Sequence, residues 1–581
     1  QSLVRSSFTT DILGNGIWKD FEILFEGRGL AGAPITLRAE TRGKTIITGG
    51  SSLALAGEYL IVSGLVFRGG YTPSQSVLSF RKSKDELANN SRVTQTVIHN
   101  FTNPERFEAD YWVAIYGRNN RFDHNHLEGK RNRGVTLAVR LDSEASRENH
   151  HRIDHNYFGP RPTLGSNGGE TLRIGTSHFS RSNSFTTVEY NYFDRCDGEV
   201  EIISSKSGSN VIRGNVFFES KGTLTLRHGH DNLVEQNIFL GNGVEHTGGI
   251  RVINRRQTVR NNYIEGIKGY RFGGALVVMN GVPNSPINRY DGVEDSVIEF
   301  NSLIDSDHIQ LAAGSDVERS AVPVRTSFER NLIVQSDRMS DVFTVYDDIS
   351  GISFSENVIS GSNAPVKQGF FSETVRLFTA ENGLKYSTTD THGQVGISPE
   401  IKVIEKSSTG VDWYRKPSKS ERFDTGSLVM VTPGKGTLIR GIQQAGVGGI
   451  VELAPGDYVV GKTIALEHAV TVRSRGVAKI TFERSALFEI KDGGSLKLSG
   501  VTISGASAPD YAGNSVIRTS RNSMLNNYDV LIENSHFSDL DVNRFFDVLA
   551  GFKGTMADRI TITDSTFSGI SGSVLKLDAE V

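Results

Sequence analysis

The chain has 581 residues, too long for one compact hydrophobic core, so two domains are expected. Its 63 Lys and Arg nearly balance 66 Asp and Glu, which argues against nucleic acid as a partner. A single cysteine, Cys196, excludes an intramolecular disulfide, and no apolar run approaches the roughly 18 residues needed to cross a membrane.

Short runs rich in Val, Ile, Thr and aromatic residues begin near the N-terminus, such as ITLRAE at 35–40 and YLIVSGLVF at 59–67. Separated by Gly, Asn and Asp turns, they are typical of β-strands. The run at 12–25 resembles 452–466, which follows a predicted helix. We therefore expect a capping helix before residue 12 as well, where only QSLVRSSFTTD stands, so the natural protein is expected to extend further.

Between residues 121 and 360 a short phrase recurs nine times: polar residues, an Asn, and then a β-branched or aromatic pair. Successive Asn residues are 31, 35, 24, 22, 25, 39, 30 and 26 positions apart. A period of 22 to 26 that lengthens irregularly indicates a solenoid whose coils tolerate loop insertions. We expect each Asn to lie at a turn, in left-handed geometry, and to bond to the Asn of the next coil. The nine are Asn125, Asn156, Asn191, Asn215, Asn237, Asn262, Asn301, Asn331 and Asn357.

Several short strands in each period, with no helix between them, favour a parallel β-helix over a sandwich or a βαβ fold. In such a solenoid, residues one period apart lie directly above one another. Side chains of successive coils therefore form columns, and candidate sites can be predicted from the coils in register.

When the coils are aligned on their repeated Asn residues, several charged residues are predicted to lie close together. Glu199 is predicted to stack on Thr223 and Glu201 on Thr225. Arg227 lies further along the same face, because side chains of a strand alternate with period two.

Lys206 follows the two glutamates, Asn167 belongs to the loop of the preceding coil, and Arg251 belongs to the next coil. Two carboxylates on one strand face repel each other unless a cation holds them. Their oxygens, with an Asn oxygen nearby, suit Ca²⁺ better than a soft transition metal. The competing interpretation is an ordinary solvated outer face.

An excess of basic and imidazole side chains surrounds the glutamates. Such a stripe, on a chain of slightly negative net charge, indicates a groove for a polyanion. Its members are Arg173, Lys206, Lys221, Arg227, His228, His230, Arg251, Arg255 and Arg256.

Three motifs together resemble polysaccharide lyase family 6: NGGETLR at 167–173, EVEIISSK at 199–206 and LRHG at 226–229. Motif and spacing match over roughly 12–360. That family comprises alginate lyases and enzymes of the dermatan-cleaving chondroitinase B type, built on right-handed parallel β-helices.

The resemblance implies roles for particular residues. Asn167, Glu199 and Glu201 are implied to bind Ca²⁺, with Lys206 as the base and Arg227 as the acid. Because guanidinium groups scarcely deprotonate, a second hypothesis has Arg227 stabilise the leaving oxygen while water or His228 supplies the proton. Substrate contacts are implied for Tyr116, Arg173, His228, Arg251 and Tyr290.

The Asn phrase disappears after about residue 366, and a polar segment at 411–425 is the predicted linker. TLIRGIQQAG at 437–446 predicts a short amphipathic helix that caps a second solenoid. We therefore predict an all-β chain of two right-handed parallel β-helices in tandem, at 1–410 and 426–581. The second one stops in mid-coil at GSVLKLDAEV, so it is expected to be incomplete.

The second solenoid makes the chain resemble the two-domain alginate lyases of the family, which tend to be exo-acting, guluronate-preferring and dimeric. Acidic polysaccharide as substrate implies secretion or a periplasmic location. The competing hypotheses are a glycosaminoglycan lyase, favoured by Arg255, Arg256 and Arg271, and a non-catalytic carbohydrate-binding β-helix. A structural role is expected for the second solenoid, where we find no comparable acid and base cluster.

Overall fold

The computed structural model describes residues 10–336, 339–388 and 392–578. Two compact units make up the chain, and the first takes the residues up to 416, apart from 104–107 and 162–166. Those two short segments belong to the second unit together with residues 417–581. The cap predicted before residue 12 falls largely on residues 1–9, which lie outside the described residues.

The first unit is a parallel β-helix in which each coil adds one strand to three sheets, here called A, B and C. Neighbouring coils pair in parallel, so the predicted fold class is confirmed. Sheet A contains Glu22–Arg28, Ser52–Glu58, Ser76–Ser79, Ala88–Asn89, Tyr111–Ile115, Leu137–Val139, Leu172–Ile174, Glu201–Lys206, Gly222–His228, Thr247–Val252, Leu276–Met279, Ile309–Ala313 and Phe343–Val345.

Sheets B and C complete the triangular coil. Sheet B contains Thr10–Leu13, Ile35–Ala39, Leu60–Ser63, Arg92–Thr94, Arg121–Asp123, Arg152–Asp154, Thr187–Glu189, Val211–Arg213, Leu233–Glu235, Thr258–Arg260, Val297–Glu299, Thr326–Glu329 and Ile352–Ser355. Sheet C contains Gly16–Lys19, Thr45–Gly50, Val66–Tyr71, Val97–His99, His126–Glu128, Tyr157–Phe158, Tyr192–Asp194, Val216–Phe218, Ile238–Leu240, Tyr263–Glu265, Ser302–Ile304, Leu332–Val334, Asn357–Ser360 and Phe370–Ser372.

The core of the first unit is a column of apolar side chains that point inward from all three sheets. Four phenylalanines of successive coils stack with ring centroids 4.8, 4.7 and 4.4 Å apart: Phe158, Phe193, Phe217 and Phe239. Because each coil buries its apolar face against its neighbours, the solenoid lengthens without a wider core.

The nine repeated Asn residues form one continuous buried ladder between sheets B and C. Each Nδ2 donates to the Oδ1 of the next Asn at 3.0 to 3.2 Å, from Asn125 to Asn357. The predicted bonding is confirmed, but the predicted left-handed geometry of the Asn is wrong. The preceding residue adopts it, as His155 does (φ 54°), which turns the chain so that the Asn side chain points along the ladder.

A segment after the last coil packs back along the outside of sheet C. Ile397, Ile401 and Ile404 join an apolar cluster with sheet C tyrosines, including Tyr157. Further on, Trp413 and Tyr414 pack against Val66 and Val97. These two aromatic residues thus belong to the first unit, although they lie inside the predicted linker, whose limits stay a prediction. Short elements of the first unit are the hairpin Leu377–Thr379 with Lys385–Ser387 and the 3-10 turns Glu144–Ser146, Ser177–Phe179, Arg271–Gly273 and Lys406–Ser408.

The second unit repeats the parallel architecture. Its helix, Thr437–Ala445, begins and ends close to the prediction, and Leu438 and Ile442 pack into the core. No helix in the described ranges is long and apolar enough to span a membrane. The three sheets contain Leu428–Val431, Gly449–Leu453, Ala469–Ser474, Ser495–Ser499, Tyr528–Glu533 and Ala557–Thr563; Gly434–Lys435, Gly456–Val460, Ala478–Phe482, Thr502–Ser504, His536–Ser538 and Thr566–Phe567; and Ile464–Leu466, Ala486–Ile490, Ser515–Thr519, Asp547–Gly551 and Leu575–Leu577.

Candidate active site

The outer face of sheet A carries the candidate site. Arg173, Ser204, Thr225 and Arg251 lie opposite one another on four adjacent strands and form one row. The neighbouring row, which includes Leu224, points into the core. Alternation along each strand therefore separates the polar row from the apolar one.

The predicted register of the two glutamates is wrong by two residues. Glu201 lies opposite Thr223, not Thr225. Glu199, predicted to face Thr223, lies before the strand begins. The segment from Asn191 to Glu201 is two residues longer than the segment from Asn215 to Thr223, and a β-bulge immediately after Glu201 shifts the register by one further residue. Because the shift at Glu201 is an even number of residues, its outer face was still predicted correctly.

The backbone of the preceding coil and a serine hold the two carboxylates. Glu199 Oε2 accepts hydrogen bonds from the amides of Gly168 and Gly169, both at 2.9 Å. Ser204 Oγ donates to Glu201 Oε2 at 2.5 Å. Asn167, next to this amide pair, lies in an exposed loop.

A third carboxylate, Glu170, was missed by the sequence reasoning. It is buried, and its Oε1 accepts from Arg173, whereas its Oε2 has no hydrogen-bond partner. Burial, Glu170 and Glu201 together raise the pKa of Glu199 to about 7. The signal that could have found Glu170 is its position inside the motif at 167–173, three residues before Arg173.

Lys206 lies among these groups with its ammonium destabilised. Burial lowers the pKa of Lys206, and the guanidinium groups of Arg173 and Arg227 lower it further, against the opposing effect of Glu170 and Glu201. No ion pair within 4.0 Å is found for its Nζ among the described residues. An amine in this environment is suited to accept a proton.

Two arginines approach Glu201 from the following coils. Arg227 Nε and Arg251 Nη1 lie 3.6 and 3.7 Å from Glu201 Oε1. Arg227 Nη1 and Arg251 Nε are buried without a hydrogen-bond partner. Burial lowers the pKa of both, that of Arg251 to about 10. Both side chains keep their charge at neutral pH, since guanidinium groups do not deprotonate in proteins. Their unused donors are available to an anionic ligand.

Tyr290 comes into the site from a long loop. Its ring lies 4.2 Å from the Arg227 guanidinium and 6.5 Å from the His228 ring. Arg181 holds this loop by donating to the Ser285 carbonyl at 2.6 Å. Burial, with Arg227 and Lys206, lowers the pKa of His228 to about 3, so its imidazole is neutral.

Tyr116 is not brought into this cluster. It is buried, with the Arg81 guanidinium 3.8 Å from its ring. The strand that precedes it, Tyr111–Ile115, is three strands away from Glu201–Lys206 in sheet A, about 14 Å at the usual strand spacing. Its predicted contact with substrate would therefore be made further along the groove.

The basic stripe is narrower than predicted. Arg173, Lys206, Arg227, His228 and Arg251 come together around Glu170 and Glu201, whereas the other four members pair with other carboxylates. Those pairs are Lys221 with Asp197 (3.9 Å), His230 with Asp291 (3.5 Å), Arg255 with Glu294 (3.5 Å) and Arg256 with Asp231 (2.6 Å).

The donor chemistry fits a hard cation. Three carboxylates of like charge interact here, and one buried oxygen, Glu170 Oε2, lacks a partner. No three His, Cys, Asp or Glu side chains of the described residues are arranged to hold a metal ion by themselves. A cation held by Glu199 and Glu201 would therefore need the Asn167 amide oxygen and water to complete its coordination.

The fold and this cluster of acids and bases define an enzyme of the parallel β-helix class. The family model for chondroitinase B matches residues 9–398, more than half of the chain. The solved structure of the family 6 alginate lyase AlyGC is 54% identical, over 97% of this chain and 78% of that chain, with a TM-score of 0.92. A mannuronic acid specific family 6 lyase from human gut microbiota is 34% identical, over 63% of this chain and 86% of that chain, with a TM-score of 0.59. No curated protein sequence matches. The chain belongs to polysaccharide lyase family 6.

Proposed function

We propose that this protein is a Ca²⁺-dependent alginate lyase that cleaves guluronate-rich chains by β-elimination. The observation that carries the proposal is Lys206, an amine with a lowered pKa between carboxylates and two arginines with unused donors. The 54% identical alginate lyase supports the substrate class.

Elimination removes the C5 proton of a uronate, next to its carboxylate. Lys206 Nζ takes this proton, the C–H electron pair forms the C4–C5 double bond, and the C4–O bond breaks. Removal of this proton is unfavourable, because a second negative charge develops beside the substrate carboxylate. Arg173, one strand before Lys206 in sheet A, and Arg251, two strands after it, would bind that carboxylate and stabilise the charge.

A calcium ion fits beside Lys206. Asn167, Glu199 and Glu201 would hold it, and when bound it supplies the charge neutralisation that makes C5 more acidic. The experiment is chelation followed by addition of single metals. Activity should disappear on chelation and return better with Ca²⁺ than with Mg²⁺. Full activity in excess chelator would refute the calcium requirement.

The oxygen that leaves C4 needs a proton or a positive partner. Arg227 fits the role of a positive partner better than that of a proton donor, because its guanidinium stays charged. His228, with a pKa of about 3, is neutral and has no acidic proton to give at neutral pH, so water would supply the proton. Arg227→Lys separates the hypotheses: a proton donor is partly replaced by lysine, whereas the fork-shaped hydrogen bonding of a guanidinium is not.

Exo action is supported by an apolar wall one strand beyond Arg251. The row on sheet A continues from Arg251 to Val277, which is buried in a cluster with Met279, Phe272 and Tyr290. The Arg251 guanidinium lies 4.5 Å from the Phe272 ring. A polymer in the groove would meet this wall directly after the catalytic groups.

In the opposite direction the groove stays open. The row continues through the small side chains of Ala138 and Ala114. Beyond them lies a cavity of about 620 Å³ lined by Ser79 and Tyr116, among others. A groove with one closed end favours removal of units from a chain end.

The wall can be tested by Phe272→Ala, with Phe378→Ala, an exposed aromatic residue away from sheet A, as the control. We expect the Phe272 variant to release longer unsaturated oligomers, and the control to keep the parent product size. Unchanged products from the Phe272 variant would contradict the wall.

Substrate preference is tested by incubating the protein with poly-guluronate, poly-mannuronate and dermatan sulfate. The ultraviolet absorbance of the new double bond should rise fastest with poly-guluronate. Faster cleavage of poly-mannuronate would reverse the preference and make the protein similar to its 34% identical relative. Dermatan cleavage would favour a glycosaminoglycan lyase, although Arg255 and Arg256, which would bind sulfate, are already paired with acids.

We further propose secretion or a periplasmic location, a homodimer, and a structural role for the second unit. The polymeric substrate and the family resemblance support the first two. Light scattering of the purified protein measures the oligomeric state, and a monomeric mass would refute the dimer.

A further inference from the structure

Arg161 lies buried behind the loop that carries Asn167 and Glu170. The residue is 3% exposed and follows the sheet C strand Tyr157–Phe158. Its guanidinium donates to five oxygens. They are Glu170 O at 2.8 Å, Gly134 O at 2.9 Å, Thr136 Oγ1 at 3.0 Å, Asn132 O at 3.2 Å and Gly168 O at 3.3 Å.

The loop 167–170 thus joins Arg161 to Glu199. Its carbonyls at Gly168 and Glu170 accept from the guanidinium, while its amides at Gly168 and Gly169 donate to Glu199 Oε2. The position of this loop therefore determines the orientation of the Glu199 carboxylate.

The loop has little freedom of its own. Gly168 has φ +97°, a conformation that side chains rarely adopt, and a Cβ on Gly169 would lie 2.3 Å from the Gly198 carbonyl oxygen. The chain therefore passes between Arg161 and Glu199 with no room for a side chain at Gly169 and an unfavourable backbone conformation for one at Gly168.

Arg161 is a costly residue to bury. Burial lowers its pKa to about 10, and no carboxylate lies within 4.0 Å of it among the described residues. Neutral oxygens compensate the buried charge, which requires a planar group with several donors. Lysine, with one compact ammonium, cannot reach oxygens on two loops at once.

We propose that Arg161 is a positioning residue that holds the 167–170 loop so that Asn167 and Glu199 form the cation site. The inference rests on the proposed calcium dependence. Outer groups that orient metal ligands typically contribute 10- to 100-fold to metal affinity.

The test compares Arg161→Lys with Arg106→Lys. Arg106 is an equally buried arginine of the second unit that donates to the carbonyls of Thr163, Leu164 and Met524. Calcium affinity is measured by titration calorimetry on the metal-stripped protein, and the rise of Tm on adding Ca²⁺ by thermal unfolding.

For Arg161→Lys we expect the calcium Kd to rise about 10- to 100-fold, with a smaller Ca²⁺-dependent rise of Tm. At saturating Ca²⁺, kcat should recover at least partly and KM should change little. Arg106→Lys should lower Tm without changing the calcium Kd. A calcium Kd within about twofold of the parent in Arg161→Lys would overturn the proposal, since the residue would then act only on folding.

If Arg161→Lys fails to fold, Thr136→Val provides the second measurement. It removes one acceptor of the guanidinium and keeps the residue volume, and we expect a calcium Kd raised several-fold. An unchanged Kd in Thr136→Val, with no folded Arg161 variant, would also overturn the proposal.

Experiments on the parent protein separate failure of the role proposed for Arg161 from failure of the proposed function. A parent protein that cleaves alginate but binds no Ca²⁺ would refute the calcium site and this role of Arg161 together. A parent that binds Ca²⁺ but cleaves no uronate polymer would refute only the lyase proposal, and the affinities of the variants would still decide the role of Arg161.

Discussion

The two units use the same turn, but the residue after its left-handed position is Asn in the first unit and Ser in the second. In the first unit a left-handed residue such as His155 precedes each ladder Asn, and in the second unit Asn534 (φ 47°) precedes Ser535 in the same way. The serine ladder is weaker: Val501 N donates to Ser535 Oγ at 3.4 Å. The left-handed residue is thus common to both solenoids, whereas the Asn ladder is an addition of the first.

The two units also treat buried charge differently. In the second unit Glu489 accepts from Arg518 at 2.8 Å and also pairs with Lys491. In the first unit, Glu170 and two arginines of sheet A each keep a buried atom without a partner. Within the described residues, all such unpartnered atoms of Asp, Glu, Lys or Arg lie in the first unit. Three of these atoms belong to the candidate site, and the others belong to Arg140, Arg147 and Arg255. Unpaired buried polar groups are costly, so those of the site are available to a ligand.

The largest effect is expected from removing the base. Lys206→Ala should lower kcat by about 10²- to 10⁴-fold, the usual contribution of general acid–base catalysis, with Tm unchanged. The measurement is the rate of ultraviolet absorbance increase on alginate. Lys491→Ala in the second unit, where the lysine is paired with Glu489, should keep the parent rate. Retention of more than about one tenth of the activity in Lys206→Ala, against that expectation, would remove Lys206 from the base role.

The next effect compares a carboxylate of each unit. Glu201→Gln should raise the calcium Kd at least tenfold, because it removes a charged oxygen ligand. Glu489→Gln should leave calcium binding unchanged and lower the free energy of unfolding by about 1–3 kcal/mol, since Arg518 and Lys491 lose their partner. Calorimetry and denaturant unfolding measure the two quantities. Equal calcium affinity of Glu201→Gln and the parent would contradict the site.

A smaller effect concerns pH. Lys206 acts as a base only when neutral, so kcat should rise as pH rises through its pKa, which burial and Arg173 hold below the ordinary lysine value. Arg173→Gln removes a cation that lowers this pKa, so the midpoint of the kcat profile should move to higher pH. Arg255→Gln, outside the cluster, is the control. A midpoint that stays or falls in Arg173→Gln would show that Lys206 does not determine the profile.

The smallest effects concern the ladders. Asn237→Ala breaks two bonds from Asn215 to its side-chain oxygen and leaves buried donors unsatisfied, so we expect a loss of about 2–3 kcal/mol in the free energy of unfolding. Ser535→Ala should cost about 1 kcal/mol, because its bonds are fewer and longer. Denaturant unfolding compares the two. A larger loss for Ser535→Ala would contradict the view that the Asn ladder adds stability.

Much of the site follows from the sequence because coils stack. Glu201 and Arg227 could be predicted to share a face, since alternation along a strand preserves the face when the register shifts by two. Lys206 follows Glu201 by five residues, an odd separation that alternation alone would place on the opposite face, and the β-bulge after Glu201 reverses this. The bulge itself could not be predicted. A bulge depends on how one strand packs on the next, and no residue near Glu201 indicates it.

The sequence by itself determined the parallel β-helix, through nine Asn residues at solenoid spacing, and determined which charged residues fall in successive coils. Only the tertiary structure decided that Glu170 interacts with Glu199, that Arg161 donates to the carbonyls of Gly168 and Glu170, and that the Phe272 ring lies 4.5 Å from the Arg251 guanidinium. Arg161, Glu170 and Phe272 lie in the two longest coils, where the Asn gaps are 35 and 39 residues and insertions have no repeat to register them. Periodicity predicts only what recurs, whereas the position of an irregular loop depends on the side chains it meets after folding.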